Sequence, residues 1–423
     1  MNRIIEALGR FDQVSGWKIN MHSKRSYELF FVKGKLETLR CTDTCDKLVT
    51  VFTAHGEFLG DSQFYVYPST TDEQLKELIQ QAVAKALLIR NKSYTLPGAE
   101  TGDYRLESNF EDFESHELAA KIAKAVFAAN TVENGSLNAV EIFINRHEDT
   151  IVNSNGLHKS QTRYDAMVEA IPTYNGENQS VELYEQYNFA SFDMDALTQE
   201  IASQMEAVKA RYEAVKPDFE LSCPVVLNTQ ELAELFGNLI GDLHYANVYS
   251  QSNLFSKGDA FQKNPTGDSI SITMAGSVEG SVRSRAFDGD GLSLGSVRLI
   301  ADGKVSNYYG GNRYGQYLGE TPTGELRCVC LDAGSAEDAD FDISSLEVIS
   351  MSGLQVDAYH DYVGGEIRLA YYHDGEKKIP LTGISFSGKL SEVLSSIRLS
   401  RRTTTRDSYH GPEKAIITNV NIF

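Results

Sequence analysis

The sequence lacks any apolar run near the ~18–20 residues that span a bilayer, so no transmembrane helix is expected. Its start, Met1-Asn2-Arg3-Ile4-Ile5-Glu6-Ala7-Leu8-Gly9-Arg10, is charged too early and too often for a secretory signal, which makes the cytoplasm the expected compartment. Basic charge is scarce: 39 Lys and Arg stand against 59 Asp and Glu, a formal net charge of −20 over 423 residues. Such a chain repels a phosphate backbone, so no nucleic-acid partner is expected, and no membrane partner either. Cysteine is scarce as well. The five, Cys41, Cys45, Cys223, Cys328 and Cys330, cannot all pair within the chain. Cys41-Thr-Asp-Thr-Cys45 lacks the spacing of a zinc knuckle and has no matching second pair. Cys328 and Cys330 share one face of an alternating stretch. All five are expected to be ordinary small buried residues. What is present, 41% hydrophobic, 23% charged and 10% aromatic residues, is the composition of a folded chain of two or three domains.

The first half mixes strands and helices. Residues 26–42 alternate around Gly34 and predict a hairpin, and 48–53 predict a second strand. A helix follows, capped by Thr70 or Thr71, with Asp72 and Glu73 in its first turn and Leu75, Leu78, Ile79, Ala82, Val83, Ala86 and Leu87 on one face. Pro97-Gly98 marks a loop, and a second helix starts near Ser115 with Leu118, Ile122 and Val126. Strands are expected over 139–145, over 149–156 into a turn, and as a pair around Asn175-Gly176. A long helix from Asp193 presents Leu197, Ile201, Met205, Val208, Tyr212 and Val215, and Pro217 stops it.

The second half opens with a strand at 225–227 and a helix capped by Asn228 or Thr229, lined by Leu232, Leu235, Phe236, Leu239, Ile240 and Leu243. Strands are expected afterwards over 269–274, 281–287, 296–309, 325–332, 346–351, 353–360, 365–373, 379–386 and 414–423. Asp302-Gly303 and Asp374-Gly375 read as hairpin turns, and 389–397 as a short helix. The expected fold is therefore α+β. A mixed α/β N-terminal domain over 1–217 precedes an antiparallel β-rich C-terminal domain over 218–423, wrapped around a helix.

The second half resembles the TldD/PmbA family, the TldD/TldE peptidase proteins also labelled modulators of DNA gyrase. Ser284–Gly291 is similar to that family's FDxEG turn. The stretch from Arg298 through Asp302-Gly303 to Val305 is similar to its LIxDGxL hairpin. The segments Tyr314 to Gly324 and Pro380 to Leu390 follow in the family's order, and Asn153-Ser154-Asn155-Gly156 resembles its NSxG turn. In the TldD branch the helix that opens the second domain carries HExxxH, and a later Cys completes a metal site. The chemistry this implies is two His on one helix face sharing a zinc, with Glu as base for an activated water. Laid on this chain, the first His falls on Gly237, the Glu on Asn238, the second His on Asp242 and the Cys near His410. The pattern resembles the PmbA/TldE branch, which lacks the motif and pairs with a metal-bearing TldD subunit.

No other site stands out. The nine His form neither HxxxH nor HExxH, no GxSxG elbow is present, and the Gly-rich pieces lack a P-loop context. Asp288, Asp290 and Asp302 read as turn residues rather than a Ca²⁺ loop. Arg398, Arg401, Arg402 and Arg406 read as a solvated cluster, or as a surface for an acidic partner or for peptide carboxylates. The resemblance thus implies no catalytic residue, metal or cofactor in this chain, with zinc in a TldD-like partner and unfolded peptide as substrate. The alternatives are a metallopeptidase active through an unrecognised site, and a homo-oligomeric peptide-binding protein. A homodimer in isolation stays open.

Overall fold

The computed structural model describes residues 1–375 and 377–423. Helix α1 (Asn2–Leu8) leads into β1 (Gly16–Val32), β2 (Lys35–His55) and β3 (Phe58–Val66). Lys33-Gly34, both at positive φ, turn β1 into β2, as the alternation around Gly34 predicts. Residues 35–55 form one continuous strand, where two shorter ones were expected. Strand β3 had no clear signal, because Gly60-Asp61 interrupts its apolar pattern. Gly60 is required there: a Cβ would lie 1.8 Å from the Ala86 carbonyl oxygen. Helix α2 (Asp72–Ala86) starts at a complete capping box in which Thr71 and Gln74 bond reciprocally. It buries Leu75, Ile79, Ala82, Val83 and Ala86.

Strand β4 (Thr101–Arg105) and helix α3 (Ser115–Ala128) precede the hairpin of β5 (Gly135–Asn153) and β6 (His158–Asn175), closed by the turn at Ser154–Gly156. Strands β7 (Ser180–Glu182) and β8 (Glu185–Phe189) fold back on β6. Together they make an eight-stranded sheet in the order β3-β2-β1-β5-β6-β4. Helix α4 (Met194–Glu213) is capped by Asp193, whose carboxylate accepts from the amides of Asp195 and Ala196.

Strand β9 (Val225–Asn228) runs straight into α5 (Thr229–Gly241), followed by α6 (Tyr245–Tyr249). Next come β10 (Ile272–Ala275), β11 (Ser296–Ala301), β12 (Lys304–Val305), α7 (Asn312–Leu318) and β13 (Cys328–Leu331). The remainder is β14 (Ser345–Met351), β15 (Gln355–Asp357), β16 (Tyr362–His373), β17 (Lys378–Leu381), β18 (Ile384–Lys389) and α8 (Leu390–Ser396). It closes with β19 (Arg398–Leu399), β20 (Thr403–Arg406), β21 (Tyr409–Pro412), β22 (Lys414–Ile417) and β23 (Val420–Ile422). A six-stranded sheet, β12-β11-β10-β13-β21-β20, and a nine-stranded sheet built on β19-β22-β9-β14-β16-β18-β23 share one core. Helix α5 lies in that core, with Leu232, Leu235, Phe236, Leu239 and Ile240 all buried.

The α+β reading holds, and the second half is mostly antiparallel, with β9 parallel to β14 and β13 parallel to β21. Two readings need correction. Residues 281–287 form no strand. The Ser284 hydroxyl bonds both the amide and the carbonyl of Val278, and the Asp288 carboxylate accepts from the amides of Asp290 and Leu292. These side chains take the place of a ladder partner and curl the segment. The cysteines are not uniformly buried: Cys41 is exposed, only Cys328 is fully buried, and all five are free.

Candidate functional site

The helix that the motif comparison singles out, α5, turns one face to the core and the other outward. Gly237 and Asn238 fall on the outward face. A Cβ at Gly237 would meet nothing within 4 Å. The Asn238 amide donates 2.8 Å to the Glu234 carbonyl one turn back. Asp242 is the C-cap, and its carboxylate accepts from the amides of Leu254 (2.7 Å) and Phe255 (3.0 Å), fixing the chain that follows α6. Positions 237 and 242 are five residues apart, so they sit ~140° apart around an ideal helix. They do not share one face, contrary to the expectation. His410 lies on β21 in register with Cys330 and Thr405, and its Nδ1 is 2.9 Å from the Thr405 hydroxyl. Asp242 and His410 are thus engaged separately, and no described hydrogen bond or ion pair joins them. A glycine, an amide and one carboxylate tied to two backbone amides do not make the three or four donors a zinc site needs.

Beside the outward face of α5 lies a cleft of about 630 Å³. Gln230, Ala233 and Glu234 of α5 form one wall. Strand β8, the turn after β20 and the end of β14 form the others. Its cations are Arg283, Arg368 and Arg406. Arg406 reaches across to Glu185 of β8 and Glu200 of α4, 3.7 Å from each. Burial pushes the Glu185 carboxyl up, and Arg406 offsets part of that rise. Arg283 forms no ion pair or side-chain hydrogen bond among the described residues. Strand β9 pairs with β14 only at Leu346 and Glu347, and Ile349, Ser350 and Met351 beyond that pairing line the cleft.

The other arginines of the basic cluster are paired within the chain: Arg398 with Asp340, Arg401 with Glu337 and Arg402 with Asp338. That is a solvated, self-neutralised surface, and it separates Arg406 from its neighbours in sequence.

Residues 220–422 match the family model for the PmbA/TldA metallopeptidase C-terminal domain. That half belongs to the PmbA/TldD family. Along its whole length the fold is similar to TldE from Thermococcus kodakarensis, at 16% identity and a TM-score of 0.81, covering 100% of this chain and 99% of that one. A candidate modulator of DNA gyrase from Thermotoga maritima follows at 15% identity and 0.77, covering both chains fully. Another from Bacteroides thetaiotaomicron follows at 13% and 0.76, over 100% of this chain and 97% of that one. No curated relative matches the chain.

A second polar centre, carried by the first sheet and outside residues 220–422, had no signal in the sequence. His22 Nδ1 lies 2.5 Å from Asp149, the Gln161 amide donates to the other Asp149 oxygen at 3.1 Å, and Arg163 lies 3.6 Å from that oxygen. The Gln161 carbonyl accepts from the Ala286 amide at 2.8 Å, which joins the two halves. Burial would raise the Asp149 carboxyl, but His22 and Arg163 overcome it and hold it at about 2. His244, just past α5, bonds Glu325 at 2.9 Å on the far side of the same region. His22 with Asp149, Gln161 with Ala286 and His244 with Glu325 join residues more than 80 positions apart, so no local spacing announces them.

Proposed function

We propose that this chain is the non-catalytic, TldE-like subunit of a TldD/TldE-type zinc metallopeptidase that processes or degrades unfolded peptides. The observation that carries the reading is the chemistry at the three motif positions, where Gly237 and Asn238 stand on the outward face of α5 and Asp242 caps its end. Zinc hydrolases need three protein ligands with an open position, and a nearby carboxylate to take the proton of the bound water. Asn238 cannot take that proton, and Gly237 offers no ligand. The zinc, the base and the water then belong to a TldD-like partner subunit. The cleft beside α5 supports a peptide role, because the free end of β14 offers backbone groups to an extended chain without demanding a sequence. A cytoplasmic location belongs to the same proposal. Five free thiols suit a reducing compartment, and no helix among the described residues is long and apolar enough to cross a membrane.

The test is peptide cleavage by this chain alone, by a TldD-like partner alone and by the mixture, each with and without chelator, alongside elemental analysis of the purified chain. Cleavage that is chelator-sensitive and reaches full rate only in the mixture is expected, with no stoichiometric zinc on this chain. Chelator-sensitive cleavage by this chain alone would replace the reading with an autonomous metallopeptidase. Equal rates with and without this chain would replace it with a separate binding protein.

A further inference from the structure

Between the first sheet and the 284–294 segment lies a cavity of about 160 Å³. A cavity of about 150 Å³ admits benzene, so this one takes roughly six heavy atoms, the bulk of one amino-acid residue. One side is apolar: Met21, Ile151, Phe287 and Leu294. The other carries Arg285 and Arg327. The Arg285 guanidinium is anchored by backbone alone, through Nη1 to the carbonyls of Val282 (3.1 Å) and Ser284 (2.6 Å). No carboxylate among the described residues forms an ion pair with Arg285 or Arg327.

The carboxylates around the cavity are all engaged elsewhere. Asp149 serves His22, Gln161 and Arg163. The Asp288 oxygens accept from the amides of Asp290, Leu292 and Glu325. Glu325 pairs with His244. Burial, with Arg163 and Arg327 nearby, lowers Arg285 to about 9 even against the pull of Asp149, as expected of positive charge without a counter-ion. A half-buried guanidinium with free donors beside an apolar wall is built for a compact oxyanion carrying a small apolar group.

We propose that this cavity binds a carboxylate of amino-acid size, the free C-terminus of a peptide with its last side chain, held by Arg285 and Arg327 against Met21, Ile151, Phe287 and Leu294. The proposal concerns this chain alone and needs neither a partner nor a metal. Its failure and the failure of the subunit reading are therefore separate events. A free inorganic oxyanion shares the same chemistry, and the experiment separates the two sources.

The intact chain is titrated calorimetrically, at constant ionic strength, with N-acetyl-leucine, with its neutral amide N-acetyl-leucinamide and with inorganic phosphate. One-to-one binding of N-acetyl-leucine is expected, with the amide at least ~10-fold weaker, the loss set by a charge-assisted pair. Arg327→Gln changes an exposed, unpaired side chain and should leave the circular dichroism spectrum intact while weakening binding at least ~10-fold. Arg285→Lys keeps the charge, loses the fork and should also weaken binding. Phosphate that competes and binds at least as tightly assigns the site to a free oxyanion and overturns the peptide terminus. Equal affinity for acid and amide, wild-type affinity in both variants, or no binding of either anion up to about 10 mM overturns the site itself.

Discussion

Glu347 shows how far a single side chain departs from its solution behaviour. It sits on β14 with its carboxylate 12% exposed, 2.6 Å from Lys414, 3.4 Å from Lys378 and 3.2 Å from His373. Burial alone would raise it, but the Lys414 hydrogen bond and the charges of Lys414 and Lys378 overcome that and hold it at about 2. A depressed carboxylate contributes stability above its unfolded value and loses it as pH falls through the folded one. The contribution is therefore present at neutral pH and disappears between roughly pH 4.5 and pH 2. The fall from 4.5 to about 2 corresponds to about 3 kcal/mol. Glu347→Gln should cost on the order of 2–3 kcal/mol in urea unfolding at pH 7 and almost nothing near pH 2. An equal cost at both pH values would assign the loss to packing and not to charge. None of this is legible in sequence, because Glu347, His373, Lys378 and Lys414 come together only through the β14–β16–β17 and β9–β22 pairings.

At the scale of elements, legibility follows how locally an element is specified. Helices α2 and α5 are read from sequence because cap and apolar face lie within one stretch: Thr71 with Gln74, and Asn228 ahead of Leu232, Leu235, Phe236, Leu239 and Ile240. Leu239 is 2% exposed inside the shared core, so Leu239→Ala should cost about 2–5 kcal/mol in denaturant unfolding. A loss under about 1 kcal/mol would mean that the site collapses around the truncation. Strand β2 was read in fragments for the opposite reason. Over 35–46 it is exposed or half-buried throughout, and β3 begins to pair only at Lys47, so neither face carries an apolar pattern. The 281–287 segment looks strand-like residue by residue. Its shape is decided by Ser284 and Asp288 bonding to backbone, which alternation cannot register. The candidate site divides likewise. The motif positions on α5 are found by spacing, whereas β8, β14 and the turn after β20 reach the cleft beside Gln230, Ala233 and Glu234 of that helix from distant parts of the chain.

At the scale of the whole molecule, the two halves meet through contacts of different kinds. Ala207, Val208 and Ala210 of α4 pack on Leu369 of β16, a dry contact. The second junction is polar and centres on Lys159 of β6, fully buried, which donates to the Gly291 carbonyl (2.9 Å) and the Ser293 hydroxyl (2.7 Å) and lies 2.7 Å from Glu100. Ile151, Leu157 and Phe287 form a small apolar cluster beside it. Gly291, at φ +86°, must lack a side chain, since a Cβ would lie 2.2 Å from Leu157. A buried ammonium with three acceptors holds the 284–293 segment, and with it one wall of the cavity that Arg285 lines. Lys159→Met keeps the length and the apolar stem but takes the donor from the Gly291 carbonyl, while Ser293 and Glu100 keep each other, at a cost of about 1–3 kcal/mol. Because α4 still packs on β16, the loosening should stay local. Hydrogen exchange should speed up over 284–293 and around Glu100, while the amides of α5 and β16 keep their protection. Equal acceleration in β16 would mean that the polar clasp and the α4 contact open as one unit. Unchanged exchange at 284–293 would mean that the apolar cluster around Phe287 holds the segment without the lysine.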